Sequence, residues 1–274
     1  MSWPPNGQGI CALMIMNILS GYDFAGLSEV QRVHLLAEAT KLGYAQRDRY
    51  VSDPRHVDVP VDWLLSEEHA KGLRAMIDPE RAGSFRPSDF PVHKDTIYLS
   101  CVDADGTAVS FINSIFSGFG SCIMAPESGV MLHNRGRSFR IEEGHANAIG
   151  PSKRPMHTII PGMLVKDGQA VAPFGVMGGQ YQSTGHAGFL TNVLDLGMDV
   201  QEAMDAPRSF ALAGKLQVEN TFSSETLAAL EAKGHVLEPM EKPLGGSQAV
   251  WIDRANGCLI AGSDPRKDGC ALGY

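Results

Sequence analysis

No stretch of the 274-residue chain is long and apolar enough to cross a bilayer. The best candidate, Ile10 to Leu19, holds about ten residues against the ~20 that a spanning helix needs. It has neither a basic leader nor a small-x-small cleavage site, so it reads as a buried helix rather than an export signal. The expectation is a soluble cytoplasmic chain with no membrane partner, or part of a periplasmic precursor should a leader precede it. Cysteine is sparse: Cys11, Cys101, Cys122, Cys258 and Cys270 are the five present. An odd count without CxxC or Cys–His zinc spacing excludes a disulfide framework and predicts mostly buried thiols in a reducing compartment. The nine histidines are scattered, none at ligand spacing from a second His or Cys, so the sequence calls for no metal and no cofactor. Positive charge is in deficit, with 23 Lys and Arg against 31 Asp and Glu, a net charge of -8. With no dense basic cluster, nucleic acid and anionic membrane are excluded as partners, and small-molecule or peptide substrates fit better. Internal repeats and low-complexity tracts are absent too.

The composition that remains, 43% hydrophobic and 20% charged, is that of a globular protein of one large domain or two small ones. The first 80 residues have helical spacing. Ile10 to Leu19 forms one helix. Ser28 caps a second, with Glu29 in its first turn and Val30, Val33, Leu36 and Leu42 leading towards Tyr44. Ser66 caps a third over Glu67 to Ile77, stopped by Asp78-Pro79. From Glu80 to Lys94 the chain turns Pro-, Ser- and Arg-rich, the composition of an exposed, cleavable loop. Strand signals follow: Met163 to Val165 and Val171 to Phe174 around Lys166-Asp167-Gly168, and Gln248 to Ile252 with Cys258 to Ala261. Helices are expected over Gln180 to Leu196 and from Ser223 or Ser224 to Lys233, ended by Gly234. Hairpin-paired strands with segregated helices indicate an α+β layered sandwich rather than a parallel doubly wound sheet.

The most informative stretch is Asp95 to Ser114. It alternates Ile97, Leu99 and Cys101 on one face with Tyr98, Ser100 and Val102 on the other. It then turns at Asp105-Gly106 and returns over Ala108 to Ile112. Thr96 stands at its head. If the chain were cut between Asp95 and Thr96, the threonine would carry both a hydroxyl and a free α-amine of pKa near ~8, nucleophile and general base in one residue. Taken alone, a threonine opening a strand is an ordinary β-former.

The downstream motifs change that reading. KRPMHT (Lys153 to Thr158), GVMGGQ (Gly175 to Gln180), GMDVQEAMDAPR (Gly197 to Arg208), GGSQAV (Gly245 to Val250) and SDPRKDGCALGY (Ser263 to Tyr274) follow in order, after PPNGQG at Pro4 to Gly9. Together they resemble the γ-glutamyltransferase family of N-terminal nucleophile hydrolases over essentially the whole chain. The resemblance implies an αββα four-layer fold and self-cleavage at Asp95–Thr96. It also implies a mostly helical large-subunit portion, 1–95, and a small catalytic subunit, 96–274. It puts Thr96 on the nucleophile, Ser114 on a second hydroxyl that hydrogen-bonds it, and Gly178 and Gly179 on the oxyanion hole, where paired glycines ahead of a helix suit close backbone approach.

Departures from the family pattern bear on substrate. Where its best-known members hold the donor's amino and carboxyl groups with asparagine, glutamine and aspartate, this chain has Phe116, Arg135 and Ser138. A serine pair becomes His157-Thr158. Arg135 could still pair with a carboxylate, but the acidic partner for an ammonium is gone. In the family a long upstream region also precedes the segment like Pro4 to Lys94, so the expected fold is incomplete at its N-terminus and a missing N-terminal segment is a candidate partner. The leading reading is a γ-glutamyl hydrolase or transferase acting on glutathione-like amides through an acyl-enzyme on Thr96. The alternatives are a dicarboxylic-acyl amidase of the cephalosporin or glutaryl type, and a non-catalytic remnant or partner subunit.

Overall fold

The first helix is apolar almost all round and is therefore buried almost all round. In the computed structural model, which describes residues 5–84 and 95–274, α1 spans Gly9–Leu19 and sinks Ile10, Cys11, Met14, Ile15 and Ile18 into the core. α2, Glu29–Tyr50, opens with a complete capping box between Ser28 and Gln31. It runs further than its apolar spacing suggests because its later turns bury polar side chains, Lys41, Arg47 and Asp48 among them. A short α3 (Val61–Leu64) precedes α4 (Glu67–Arg74), capped by Ser66 as expected. α4 ends three residues before Ile77, where Met76 and Ile77 switch to i→i−3 bonds on Leu73 and Arg74. Most of the expected cleavable loop, and Pro4 of the first motif, lie outside the described residues.

β1 (Asp95–Val102) and β2 (Ala108–Phe116) form the expected antiparallel hairpin, with Ile97 opposite Asn113 and a bulge between Asp95 and Ile97. β3 (Gly162–Lys166) and β4 (Gln169–Met177) form a second hairpin, and α5 (Gln182–Leu194) follows one 3-10 turn later. α6 (Val200–Asp205), with an Asp199–Glu202 capping box, lies inside the motif GMDVQEAMDAPR and was not expected as a helix. Nor were β5 (Ser209–Leu212), β6 (Lys215–Val218) and, after α7 (Ser224–Ala232), β7 (Leu237–Pro239). These three form their own small sheet, in which β6 and β7 are parallel. β8 (Gly246–Asp253) and β9 (Cys258–Ser263) complete a four-stranded sheet ordered β3-β4-β8-β9.

The β1–β2 hairpin stacks on this sheet over β4 and β8, while α5 and α6 pack against the sheet's other strand faces, α1 packs on α5 and α2 packs on α1. Two sheets between helices is the αββα plan of the N-terminal nucleophile hydrolases. Close stacking depends on Gly175, where a Cβ would stand 2.3 Å from the Tyr98 ring. Tyr98 in turn hydrogen-bonds Ser110, 2.8 Å away, across the hairpin. On the outer face Ile97, Leu99, Val109 and Phe111 are exposed, Ile97 by 69%, and among the described residues no helix covers them. Among the described residues three of the four layers are therefore present. The cysteines correct an expectation: Cys11 alone is buried, and the other four are exposed. Cys101 belongs to that same uncovered outer face of β1, a surface that a sequence reading assigns to the core.

The last three motifs converge on one buried ion network. Arg208 pairs with Asp264 at 2.5 Å, Arg266 pairs with Glu219 at 2.6 Å and reaches Asp264 at 3.3 Å. Ser247 gives both its N–H and its hydroxyl to Asp264, and Glu219 accepts the N–H of Leu244. Burial opposes ionisation of Asp264, but Arg208 and its other partners outweigh it and hold the carboxyl below its ordinary range. Arg208→Met should therefore destabilise the fold by about 3–5 kcal/mol, because it removes the nearer of the two guanidinium partners of a buried carboxylate and its bonds to the Leu244 and Met204 carbonyls. The depressed carboxyl stabilises the fold at neutral pH. That contribution is lost as pH falls below the unfolded value near ~4 and through the lower folded one. Denaturant melts of both proteins should show a gap at pH 7 that narrows in acid.

Candidate active site

Thr96 is the second residue of β1, and the bulge sets it opposite Ser114 and Ile115. Its Oγ1 is buried and has no hydrogen-bond partner, an uncommon state for a hydroxyl that could rotate towards any acceptor in reach. The residue opens onto two clefts. One, of about 540 Å³, is lined by Thr96, Phe111, Asn113, Ser114 and Lys267. The other, of about 510 Å³, runs from Thr96 past Met177 and Gln248 to the C-terminal segment Lys267 to Leu272. Ser114 thus shares a cleft with Thr96 as expected, but the hydrogen bond expected between them is absent. Ser114 Oγ instead accepts the N–H of Phe116 at 3.0 Å, which helps to hold Phe116 at its positive φ of 80°.

Phe116, Arg135 and Thr158 come together behind Ser114. The Arg135 guanidinium lies over the Phe116 ring at 5.4 Å and reaches Thr158 Oγ1 at 3.5 Å and the Ser114 carbonyl at 3.4 Å. It is only 7% exposed, and burial lowers its pKa to about 10. All the partners it has are neutral, so a buried cation stands here without a described carboxylate. His157 packs against Gly7, where a Cβ would lie 2.7 Å from the ring. Burial, then the nearby Arg135 charge, depress its pKa to about 4, so the imidazole is neutral at pH 7 and Arg135 carries the positive charge of this corner. Ser138 ends the 3-10 turn that Arg135 begins, held through its carbonyl by Asn147 at 2.7 Å.

Gly178 and Gly179 make the link from β4 to α5 with φ of 118° and 60°. A Cβ on Gly178 would stand 2.9 Å from the Gly245 Cα, and one on Gly245 would stand 2.6 Å from the Met177 carbonyl. GVMGGQ and GGSQAV are therefore in backbone contact, and only glycine fits. The Gly178 carbonyl accepts the Tyr181 N–H at 3.1 Å, and among the described residues the N–H groups of Gly178 and Gly179 donate to no backbone partner. Two free amides ahead of a helix can serve a developing oxyanion.

Sequence reasoning missed Lys267, an exposed cation that lines both Thr96 clefts and the smaller cavity beside Gly178 and Gly245. Its position in the C-terminal motif was the available signal. It also missed the upstream groups that brace the site. Asn6 and Gln8 pair with His157 in a β-bridge, joining PPNGQG to KRPMHT, and Asp53 holds Arg154 at 2.9 Å. Spacing did not reveal that His34, Glu38 and His235 meet, their ligand atoms within 4.8 Å of one another. This cluster is satisfied from within. His34 bonds His235 and the Asp78 carbonyl, both at 2.8 Å, and Glu38 pairs with Lys41. Glu38 and Lys41 also hold Gly83 by its N–H and its carbonyl, fixing the chain just before the undescribed segment.

A glutathione hydrolase-like YwrD proenzyme of Bacillus subtilis is 36% identical, with 98% of this chain matched to 53% of that protein. An oxamate amidohydrolase proenzyme of Klebsiella pneumoniae is 34% identical over 98% of this chain and 52% of its own length. The crystal structure of a cephalosporin acylase from Bacillus halodurans superposes with a TM-score of 0.90 at 39% identity, covering 99% of this chain and 51% of that one. The chain thus spans about half the length of the relatives it matches. The sequence profile described as Gamma-glutamyltranspeptidase matches residues 1–274 throughout, and the chain belongs to that family.

Proposed function

We propose that this chain carries the catalytic half of an amide hydrolase or acyltransferase that works through an acyl-enzyme on Thr96. Residues 1–95 form the end of a large subunit and 96–274 the small subunit. The observation that carries this reading is the buried, unpartnered Thr96 hydroxyl at the mouth of two clefts. In maturation, Thr96 Oγ attacks the Asp95 carbonyl, the Asp95–Thr96 C–N bond breaks as the acyl group shifts from N to O and frees the α-amine, and water then hydrolyses the ester to the Asp95 carboxylate and the Thr96 hydroxyl. In turnover the same oxygen bonds the substrate acyl carbon. Its proton passes through the α-amine to the leaving nitrogen, the C–N bond breaks, and water or an amine then takes the acyl group. Gly178 and Gly179 receive the oxyanion, and losing one such donor typically costs about 3 kcal/mol of transition-state stabilisation. Thr96→Ala should abolish both cleavage and turnover, whereas Thr96→Ser should keep slow processing. The check is a denaturing gel for fragments of about 10 and 19 kDa. Efficient cleavage of the alanine variant would place the nucleophile elsewhere, and an intact wild-type chain would favour a non-catalytic remnant.

The acyl group is γ-glutamyl or a dicarboxylic acyl lacking the α-amine. Favouring the second is the corner formed by Phe116, Arg135, Ser138, His157 and Thr158. It offers a buried cation to a carboxylate and, among the described residues, no acid to an ammonium. The names of an oxamate amidohydrolase and a cephalosporin acylase among the relatives support the same direction. A glutaryl amide should be turned over within about tenfold of its γ-glutamyl counterpart, a difference under ~1.4 kcal/mol. A γ-glutamyl preference above about a hundredfold would mean that another carboxylate holds the ammonium, and Asp268, which lines the second cleft, would be the first to test.

The uncovered apolar face of β1 and β2 supports a further partner, a polypeptide segment equivalent to the upstream region of the relatives. Residues 1–274 alone should then show little activity on a chromogenic γ-glutamyl anilide, because neither the sheet nor the donor site is complete. Co-expression with a relative's upstream segment should raise it. Equal activity in both assays would make the chain a self-sufficient enzyme.

A further inference from the structure

We propose that Gln8 is a positioning residue for the oxyanion loop, acting from the far side of the expected cleavage point. The inference rests on the acyl-enzyme reading above and assigns a role to a side chain that this reading leaves unused. Gln8 is fully buried just before α1. Its Nε2 donates to the Gly179 carbonyl at 2.8 Å and to the Thr158 carbonyl at 3.0 Å, and its Oε1 accepts from Arg47 Nη1 at 3.0 Å. This arrangement fixes the orientation of the amide, because a guanidinium only donates and a carbonyl only accepts. Both carboxamide N–H groups are spent on the two segments that matter, the oxyanion loop and the acyl corner.

Arg47 locks Gln8 from behind. It is 1% exposed, donates from Nε and Nη2 to Asp48 Oδ1 at 2.8 and 2.7 Å, and shares its Nη1 between Gln8 and Gln180 Oε1. The Tyr44 hydroxyl bonds the Gln180 carbonyl, so α2 grips the residue that follows the glycine pair. Two glycines at positive φ make a soft link that would otherwise sample several peptide orientations. With the Gly178 carbonyl bound to the Tyr181 N–H and the Gly179 carbonyl bound to Gln8, the peptide planes on both sides of Gly179 are held. An oxyanion hole is effective only when its donors are oriented before charge develops. Gln8 supplies part of that orientation and ties it to Thr158, whose hydroxyl meets Arg135.

A positioning role predicts a particular kinetic signature. Gln8→Met keeps the length but removes all three bonds. Gln8→Glu keeps an acceptor for Arg47 but turns oxygen, not N–H, towards two carbonyls. In whichever preparation carries turnover, the chain alone or with the upstream segment, a chromogenic glutaryl or γ-glutamyl anilide is assayed at saturating and limiting concentration. Thermal melts and the cleavage gel are run on the same samples. Both variants should lose about 10- to 100-fold in kcat with KM within about threefold, Gln8→Glu losing more, while fragments still form. If Gln8→Glu does not fold, Gln8→Asn, which keeps the amide and shortens its reach, should fall between wild type and Gln8→Met. Variants within about twofold of wild-type kcat, or a loss confined to KM, would overturn the proposal. A wild-type protein that neither cleaves nor turns over either anilide would instead overturn the acyl-enzyme reading, and this inference with it.

Discussion

The site depends on a buried balance of charge. Arg208 and Arg266 face Asp264 and Glu219 in a closed set, and the groups these four hold are mostly backbone: the Leu244 carbonyl and N–H, the Ser247 N–H and the carbonyls of Met204 and Ala206. The result is a fixed path for Leu244 to Ser247. Gly245 can then press against Met177 and Gly178 without a side chain between them. A hydrophobic cluster of equal volume could fill the space, but it would leave those carbonyls and amides without partners. The ions here serve geometry.

On the other side of Thr96 the charge is left uncompensated. A buried guanidinium with neutral partners is costly to keep, as its lowered pKa records. Under the proposed function, the carboxylate of an acyl donor would supply the missing counter-charge. The neutral imidazole of His157 and the aromatic ring of Phe116 shape the corner around that single cation. On the proposed reading this arrangement would suit a carboxylate, and among the described residues it holds no acid for an adjacent ammonium.

Much of this was legible in the residues. Ser28, Ser66 and Ser223 each cap the helix that follows, and the hairpin from Asp95 was visible from strict alternation and an Asp-Gly turn. The second half of α2 was less legible because Lys41, Arg47 and Asp48 are buried by pairing, which breaks the apolar period without breaking the helix. α6 was hidden in a motif read for its identity rather than its period, and the strands of the small sheet, three or four residues each, are too short to show a period. The cysteines read as mostly buried by residue type, yet four of the five stand at the surface, Cys101 on the face that no described layer covers. The missing Thr96–Ser114 bond and the work of Gln8 are set by tertiary contacts, which no local pattern carries.

The anchoring of Gly83 by Glu38 and Lys41 has a consequence for how the mature protein holds together. The described residues up to that glycine are fastened to the body, through α1 on α5 and through Gln8, Tyr44 and Arg47 on the loop before α5. If the chain is cut at Asp95–Thr96, folding ceases to be a property of one molecule and becomes an association of two. Its stability then follows mass action, rising with protein concentration and falling on dilution. The proposed N-terminal nucleophile would come into being at the same moment that its own scaffold became a complex able to dissociate.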